Sequence, residues 1–177
     1  MNMWSRALQQ AGVAADEVDW DVVYAEQLPR VYNFFRYRVG AGPLAEDLTA
    51  ATFEKAWVGR ARYRRDRGAF STWLFTIAQH VAVDHFRARR IDLPLDDYHG
   101  QPAGEPVDAM VERQTDFVRL SALFARLTDR EREIVALKYG ATLTNREIAP
   151  LIGLSESNVG TILSRVTQRL RLAWENE

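Results

Sequence analysis

Residues 144–159 read Thr144-Asn145-Arg146-Glu147-Ile148-Ala149-Pro150-Leu151-Ile152-Gly153-Leu154-Ser155-Glu156-Ser157-Asn158-Val159. Thr144-x-x-Glu147 is a capping box that opens a short helix. Ile148, Ala149 and Ile152 give that helix one apolar face, and the small Ala149 lets a second helix cross closely. Gly153 suits a turn that glycine enters cheaply, Leu154 plugs the corner, and Ser155 caps a second helix buried by Val159, Ile162, Leu163 and Val166. This is the grammar of a helix-turn-helix, whose second helix lies in a DNA major groove with its N-terminal turns on base edges. The competing reading is an ordinary helical hairpin. The Gly153-Leu154-Ser155 corner argues against it, and so does the second box, Thr128-x-x-Glu131, upstream. The outer face of Glu156, Ser157, Asn158, Thr161, Arg165 and Arg169 fits DNA contact and fits a solvated surface equally.

Working outward, apolar spacing is helical throughout and never alternates over two residues, so the expected class is all-α. Tyr24, Leu28, Val31, Phe35 and Val39 mark a first helix from Trp20, which Pro29 is expected to kink or restart. Gly40 and Gly42 end it, and Pro43 begins a second helix with Leu44, Leu48, Thr52, Phe53, Ala56 and Trp57 on one face, stopping near Gly59. A basic connection, residues 60–68, leads to a long helix opened by Ser71, with Leu74, Ile77, Ala78 and Val81 inward. Residues 92–113, rich in Pro, Gly and acidic side chains, read as a flexible acidic linker. Phe117, Leu120, Leu123, Phe124 and Leu127 form a further amphipathic helix. The expected division is an N-terminal extension (1–19), a helical module (20–91), the linker (92–113) and a second helical module (114–177).

The 177 residues allow two small domains, and 47% apolar with 27% charged residues is ordinary for a folded chain. Cysteine is absent, which excludes disulfides and thiolate chemistry. No apolar run reaches the ~18 residues of a membrane span. The first residues lack the pattern of a signal peptide, so a cytoplasmic location without membrane contact is expected. The net charge of −1 hides an asymmetry: residues 20–91 hold twelve Lys/Arg against seven Asp/Glu, while residues 92–133 hold five against ten. A basic module beside an acidic segment suggests polyanion binding by the first.

Taken in order, these motifs resemble the extracytoplasmic-function group of the sigma-70 family of bacterial RNA polymerase sigma factors. The resemblance rests on Ala45-Glu46-Asp47-Leu48-Thr49-Ala50-Ala51-Thr52-Phe53-Glu54-Lys55-Ala56-Trp57, on Phe70-Ser71-Thr72-Trp73-Leu74-Phe75-Thr76-Ile77-Ala78 and on Asp84-His85-Phe86-Arg87-Ala88-Arg89-Arg90. It rests equally on the run from Leu127 to Gly140 and on the helix-turn-helix. It implies a region 2 bundle and a region 4 helix-turn-helix, with core RNA polymerase (clamp and flap), promoter DNA and an anti-sigma factor as partners and no cofactor or catalytic site. Core-polymerase contact falls to Asp47, Leu48, Thr49, Thr52, Phe53, Lys55 and Trp57, with Phe53 and Trp57 also read as core. Contact with the melted minus-ten element falls to Arg60, Arg62, Tyr63, Arg64, Arg65, Phe70, Trp73, His80, Asp84, Arg87, Arg89 and Arg90. Basic side chains there neutralise phosphates, and aromatic ones stack on or support unstacked bases. Minus-35 contact falls to Arg146, Ser155, Glu156, Ser157, Asn158, Thr161, Arg165 and Arg169.

The chain departs from the family pattern at Ala50 and Ala51, where Gln-Glu is common, at His80 in place of Asn, and at Gly160 and Ile162, where Lys and Arg are common. The chief alternative is a two-domain helix-turn-helix regulator that acts without replacing a sigma factor. A metal enzyme built on His80, Asp84 and His85, or on Asp96, Asp97 and His99, lacks any His-Glu-x-x-His or similar spacing, and no metal site is expected.

Overall fold

A computed structural model of the chain describes residues 19–64, 66, 68–92, 119, 120 and 122–176, with only the backbone of residues 89–92. Among them there is no strand. The expectations placed on the N-terminal extension, Arg65, the linker and Phe117, and on the side chains of Arg89 and Arg90, lie outside the described residues.

Helix α1 (Trp20–Val39) starts at Asp19, whose carboxylate accepts from the N–H groups of Asp21 and Val22 at 3.1 and 3.3 Å. The helix runs through Pro29 and does not restart there, which corrects one of the two outcomes expected at that residue. Pro29 is exposed, so its missing N–H and the carbonyl it displaces face water, while Leu28 on one side and Val31, Phe34 and Phe35 on the other stay in the core. Tyr24 is 49% exposed, because the first turns of α1 overhang the bundle; its ring leans on Phe53 at 4.8 Å.

Pro43 occupies the first turn of α2 (Pro43–Gly59), which buries Ala45, Leu48, Thr49, Thr52, Phe53 and Ala56. The buried hydroxyls of Thr49 and Thr52 donate to the carbonyls one turn back, at 2.6 and 2.8 Å, so neither is left unpaired. A 3-10 turn (Arg60–Arg62) leads toward α3 (Phe70–Asp92), which sets Leu74, Phe75, Ala78, Val81 and Ala82 against α1 and α2. Phe34 meets Phe75 edge-on at 5.8 Å in the centre.

The second module opens on the Thr128–Glu131 capping box of α4 (Asp129–Val135). Arg132 reaches back to the carbonyls of Phe124, Ala125 and Leu127, which would otherwise be unpaired at the end of the preceding helical residues. Next come a π-helical turn (Ala136–Gly140), α5 (Asn145–Ile152) and α6 (Glu156–Asn176). One apolar core runs from Phe34 and Phe75 through Leu137 and Ile148 to Val159 and Val166, so the two modules share an interior along the face of α1 that the π turn covers.

Candidate nucleic-acid interface

The basic connection stands on a stack of rings. Trp20 meets Trp57 at 5.4 Å and Phe70 at 5.7 Å, and Tyr63, Phe70 and Trp73 lie 5.2–5.3 Å from one another. Tyr63 also donates to the Gly68 carbonyl at 3.2 Å, which pins the loop to the end of α3 nearest it. Phe70, Trp73 and Tyr63 are each half-buried, a placement that leaves limited ring face open for stacking. Trp20, which the sequence marked only as a helix start, completes the cluster.

The charges above the rings differ in their freedom. Arg60 donates to the Trp57 carbonyl at 2.8 Å and lies 4.1 Å over that indole, so it caps α2 and extends its aromatic edge. Arg64 pairs with Asp66 at 3.2 Å, and Arg62 is exposed. On α3, His80, Asp84 and Arg87 are exposed, and Asp84 accepts from Lys55 of α2 at 3.1 Å. That pair joins two residues assigned to different partners.

On α2, Leu48, Thr49, Thr52 and Phe53 are buried, leaving Asp47, Lys55 and Trp57 at the surface with Ala50, Glu54 and Val58. Trp57 is 39% exposed where a core position was also expected, because Trp20 and Arg60 cover only part of its ring. Val58, 76% exposed, was missed, since its place in the helical period carried no signal of its own.

In the helix-turn-helix, the Glu147 carboxylate accepts from the Thr144 N–H at 2.8 Å while the Thr144 hydroxyl accepts from the Glu147 N–H at 3.2 Å. Burial alone would raise the Glu147 carboxyl, but the Thr144 N–H and hydroxyl, then Arg30 and Ser71, outweigh it and hold the group below the usual carboxylate range. Gly153 adopts φ 65° and ψ 37°, the left-handed conformation the corner needs. Arg130 braces the corner from α4 by donating to the Ile152 carbonyl. The Ser155 hydroxyl accepts from the Asn158 N–H at 3.2 Å, starting α6, which buries Val159, Leu163 and Val166. Arg146, Ser155, Glu156, Ser157, Asn158, Thr161, Arg165 and Arg169 are all exposed. Thr161 gives its proton to the Ser157 carbonyl at 3.0 Å, which leaves its oxygen only an acceptor for any further bond. Arg169 is held by Glu131 at 2.9 Å.

Comparison with known proteins agrees with this layout. Residues 23–91 match the family described as Sigma-70 region 2, and residues 123–172 match Sigma-70, region 4. The chain belongs to the extracytoplasmic-function group of the sigma-70 family. It is 33% identical over 155 residues to the ECF RNA polymerase sigma factor BldN of Streptomyces coelicolor, covering 84% of this chain and 57% of that protein. To the ECF RNA polymerase sigma factor RpoE of Cereibacter sphaeroides it is 30% identical over 152 residues, covering 85% of this chain and 82% of that one. The fold is similar to that of the sigma factor RpoE of Bartonella quintana, solved in complex with the anti-sigma factor NepR, with a TM-score of 0.73, 20% identity and coverage of 89% and 97%.

Within this sigma-70 chain the departures have identifiable places. Ala50 is exposed on the α2 surface and Ala51 half-buried. His80 is exposed on α3, and Ile162 packs against the core. Gly160 borders an open groove of about 550 Å³ lined by Lys138, Asn145, Ser164, Gln168 and Arg171 among others, and a Cβ there would stand 3.4 Å from Asn145 Nδ2. Among the described residues, no three His, Asp or Glu side chains gather closely enough to hold a metal ion, and no helix is long and apolar enough to cross a membrane.

Proposed function

We propose that the protein is a promoter-specificity subunit: it joins core RNA polymerase, holds a melted minus-ten strand with its first module, and reads a minus-35 duplex with its second. One observation carries the reading. A single chain presents a basic, aromatic-floored surface around Arg60, Arg62 and Arg64 and, in a separate module, the exposed recognition face of a helix-turn-helix. The first suits unstacked bases with nearby phosphates, and the second suits base edges in a closed major groove.

Contact with the polymerase clamp falls to the exposed edge of α2 at Asp47, Lys55, Trp57 and Val58, while Leu48, Thr49, Thr52 and Phe53 shape that edge from inside. The protein works by binding, with no chemistry of its own. An anti-sigma factor is the expected regulator, by analogy with the similar sigma factor solved with the anti-sigma factor NepR.

Run-off transcription with purified core polymerase on a genomic promoter library tests this, and initiation from a defined subset of promoters is expected. Folded protein that directs no initiation overturns it. Submicromolar specific duplex binding without polymerase, combined with no initiation, favours a helix-turn-helix regulator instead.

A further inference from the structure

The groove beside Gly160 differs in charge from the surface around it. It holds about 550 Å³ between the π turn, the start of α5 and the middle of α6, within the ~300–1,000 Å³ of small-molecule sites. No described residue that lines it is an Asp or Glu, while Lys138 on the π turn and Arg171 on α6 bring two cations. Neither makes an ion pair among the described residues, whereas Arg132 lies against Asp129 and Arg169 against Glu131 in the same module. Lys138 is, moreover, half-buried. Like charges that line one cavity without a counter-charge are stabilised together by an anion between them.

A single phosphate would leave most of the groove empty, and the remaining lining suits a planar heteroaromatic ring. Tyr139 is 49% exposed and its hydroxyl lies 3.4 Å from Thr167 Oγ1 on α6. The ring is thus tethered at its tip while much of it stays open to stacking. Asn145 adds a carboxamide whose Oδ1 is buried without a hydrogen-bond partner. A carboxamide carries a donor and an acceptor in one plane, the pattern that pairs with the edge of a base. Gly160 keeps this corner open, because a Cβ there would stand 3.4 Å from Asn145 Nδ2 and any longer side chain would take up groove volume.

The groove also opens to one side of the face assigned to base reading. At about 100° per residue, the stripe of Leu163, Thr167 and Arg171 stands about a third of a turn around α6 from that of Ser157, Thr161 and Arg165. A straight duplex laid along the second stripe reaches the first only at its rim.

We propose that this groove is a site for a free nucleoside di- or triphosphate, with its phosphates between Lys138 and Arg171 and its base on Tyr139 beside Asn145. The site goes beyond the promoter-binding function proposed above and stands without it.

Calorimetric titration of the full chain with ADP, with GDP and with inorganic pyrophosphate tests the site. Saturable binding of one nucleotide per chain is expected, tighter than pyrophosphate by about tenfold, the worth of one stacked base. Lys138→Ala and Arg171→Ala should each weaken ADP by about tenfold. Arg126→Ala, at an exposed cation outside the groove, should leave it within about twofold. Tyr139→Ala should cost ADP about tenfold and leave pyrophosphate unchanged, which separates a base from a bare anion. Gly160→Leu should abolish binding, and because leucine is the better helix former, circular dichroism should show the fold retained. No saturable binding of either nucleotide overturns the proposal, as do equal affinities for ADP and pyrophosphate that Tyr139→Ala leaves untouched. Protection of Lys138 from an amine-reactive reagent by minus-35 duplex, with none by either nucleotide, also overturns it and gives the groove to the phosphates of the DNA backbone.

Discussion

The Arg169 guanidinium lies 2.9 Å from the carboxylate of Glu131, the same carboxylate that closes the capping box of α4. Burial alone would raise the Glu131 carboxyl, but hydrogen bonds from Arg169 and from the N–H and hydroxyl of Thr128 outweigh it and hold the group low. A residue read from the sequence as a DNA contact therefore also ties α6 to the start of the second module. Because the pair is partly exposed, Arg169→Ala should cost about 0.2–1 kcal/mol of stability. A double-mutant cycle with Glu131→Gln in urea should show coupling of that size, and additive effects would separate Arg169 from Glu131.

Arg165 and His80 test the division of labour between the modules. Arg165→Ala should weaken minus-35 duplex binding by about 1–3 kcal/mol, the worth of a good base-edge contact, and leave initiation on a premelted minus-ten template nearly intact. His80→Ala should do the reverse. Both variants are compared on both templates, and equal losses on each would overturn the assignment.

Acid should destabilise the second module through its two capping boxes. Glu131 and Glu147 are both held below the usual carboxylate range. Each therefore contributes stability that is complete above the ordinary carboxylate value and is lost as pH falls through its lower folded value. The thermal midpoint by circular dichroism should drop from about pH 5 downward. Glu147→Gln, which keeps the box geometry because Gln also accepts from the Thr144 N–H, should flatten part of that drop. An identical pH slope in the variant would overturn the link.

Two glycines of the helix-turn-helix should respond with opposite signs. Gly153 has a left-handed φ and open space around its missing Cβ, so Gly153→Ala should cost about 1 kcal/mol from backbone conformation alone, and Gly153→Asn less. Gly160 sits inside α6 with only Asn145 Nδ2 in reach, at 3.4 Å, so Gly160→Ala should stabilise by about 0.5–1 kcal/mol. Denaturant midpoints decide both, and matching signs would overturn the pairing.

The parts legible in the sequence were those with local chemistry. Both capping boxes, the Gly153 corner, the Ser155 cap and Pro43 at a helix start bind groups within a few residues of one another, so spacing alone exposes them. The seam between the two modules had no such signature. Gly140 is shaped by Asn33, more than one hundred residues earlier, and Arg38 and Glu133 stand far apart in the sequence, so no local spacing ties them. Periodicity also placed Tyr24 inward and left Trp57 between core and contact. Both lie where helices overhang the bundle, and a period reports which face a residue shares without reporting how far the neighbouring helix extends. Pro29 illustrates a related gap: whether a proline interrupts a helix depends on which side of it faces water.

The ring cluster beneath the basic connection also has an optical consequence. Of the five tryptophans, Trp20, Trp57 and Trp73 belong to that one cluster, while Trp174 stands apart under Arg119. Arg60, a side chain any arriving phosphate would attract, rests 4.1 Å over the Trp57 ring. The intrinsic emission of the described tryptophans is thus weighted toward one module, and the charge proposed above to meet a phosphate sits on an emitter. Titration with a single-stranded oligonucleotide, followed at the tryptophan band without any label, observes the first module from inside its own packing.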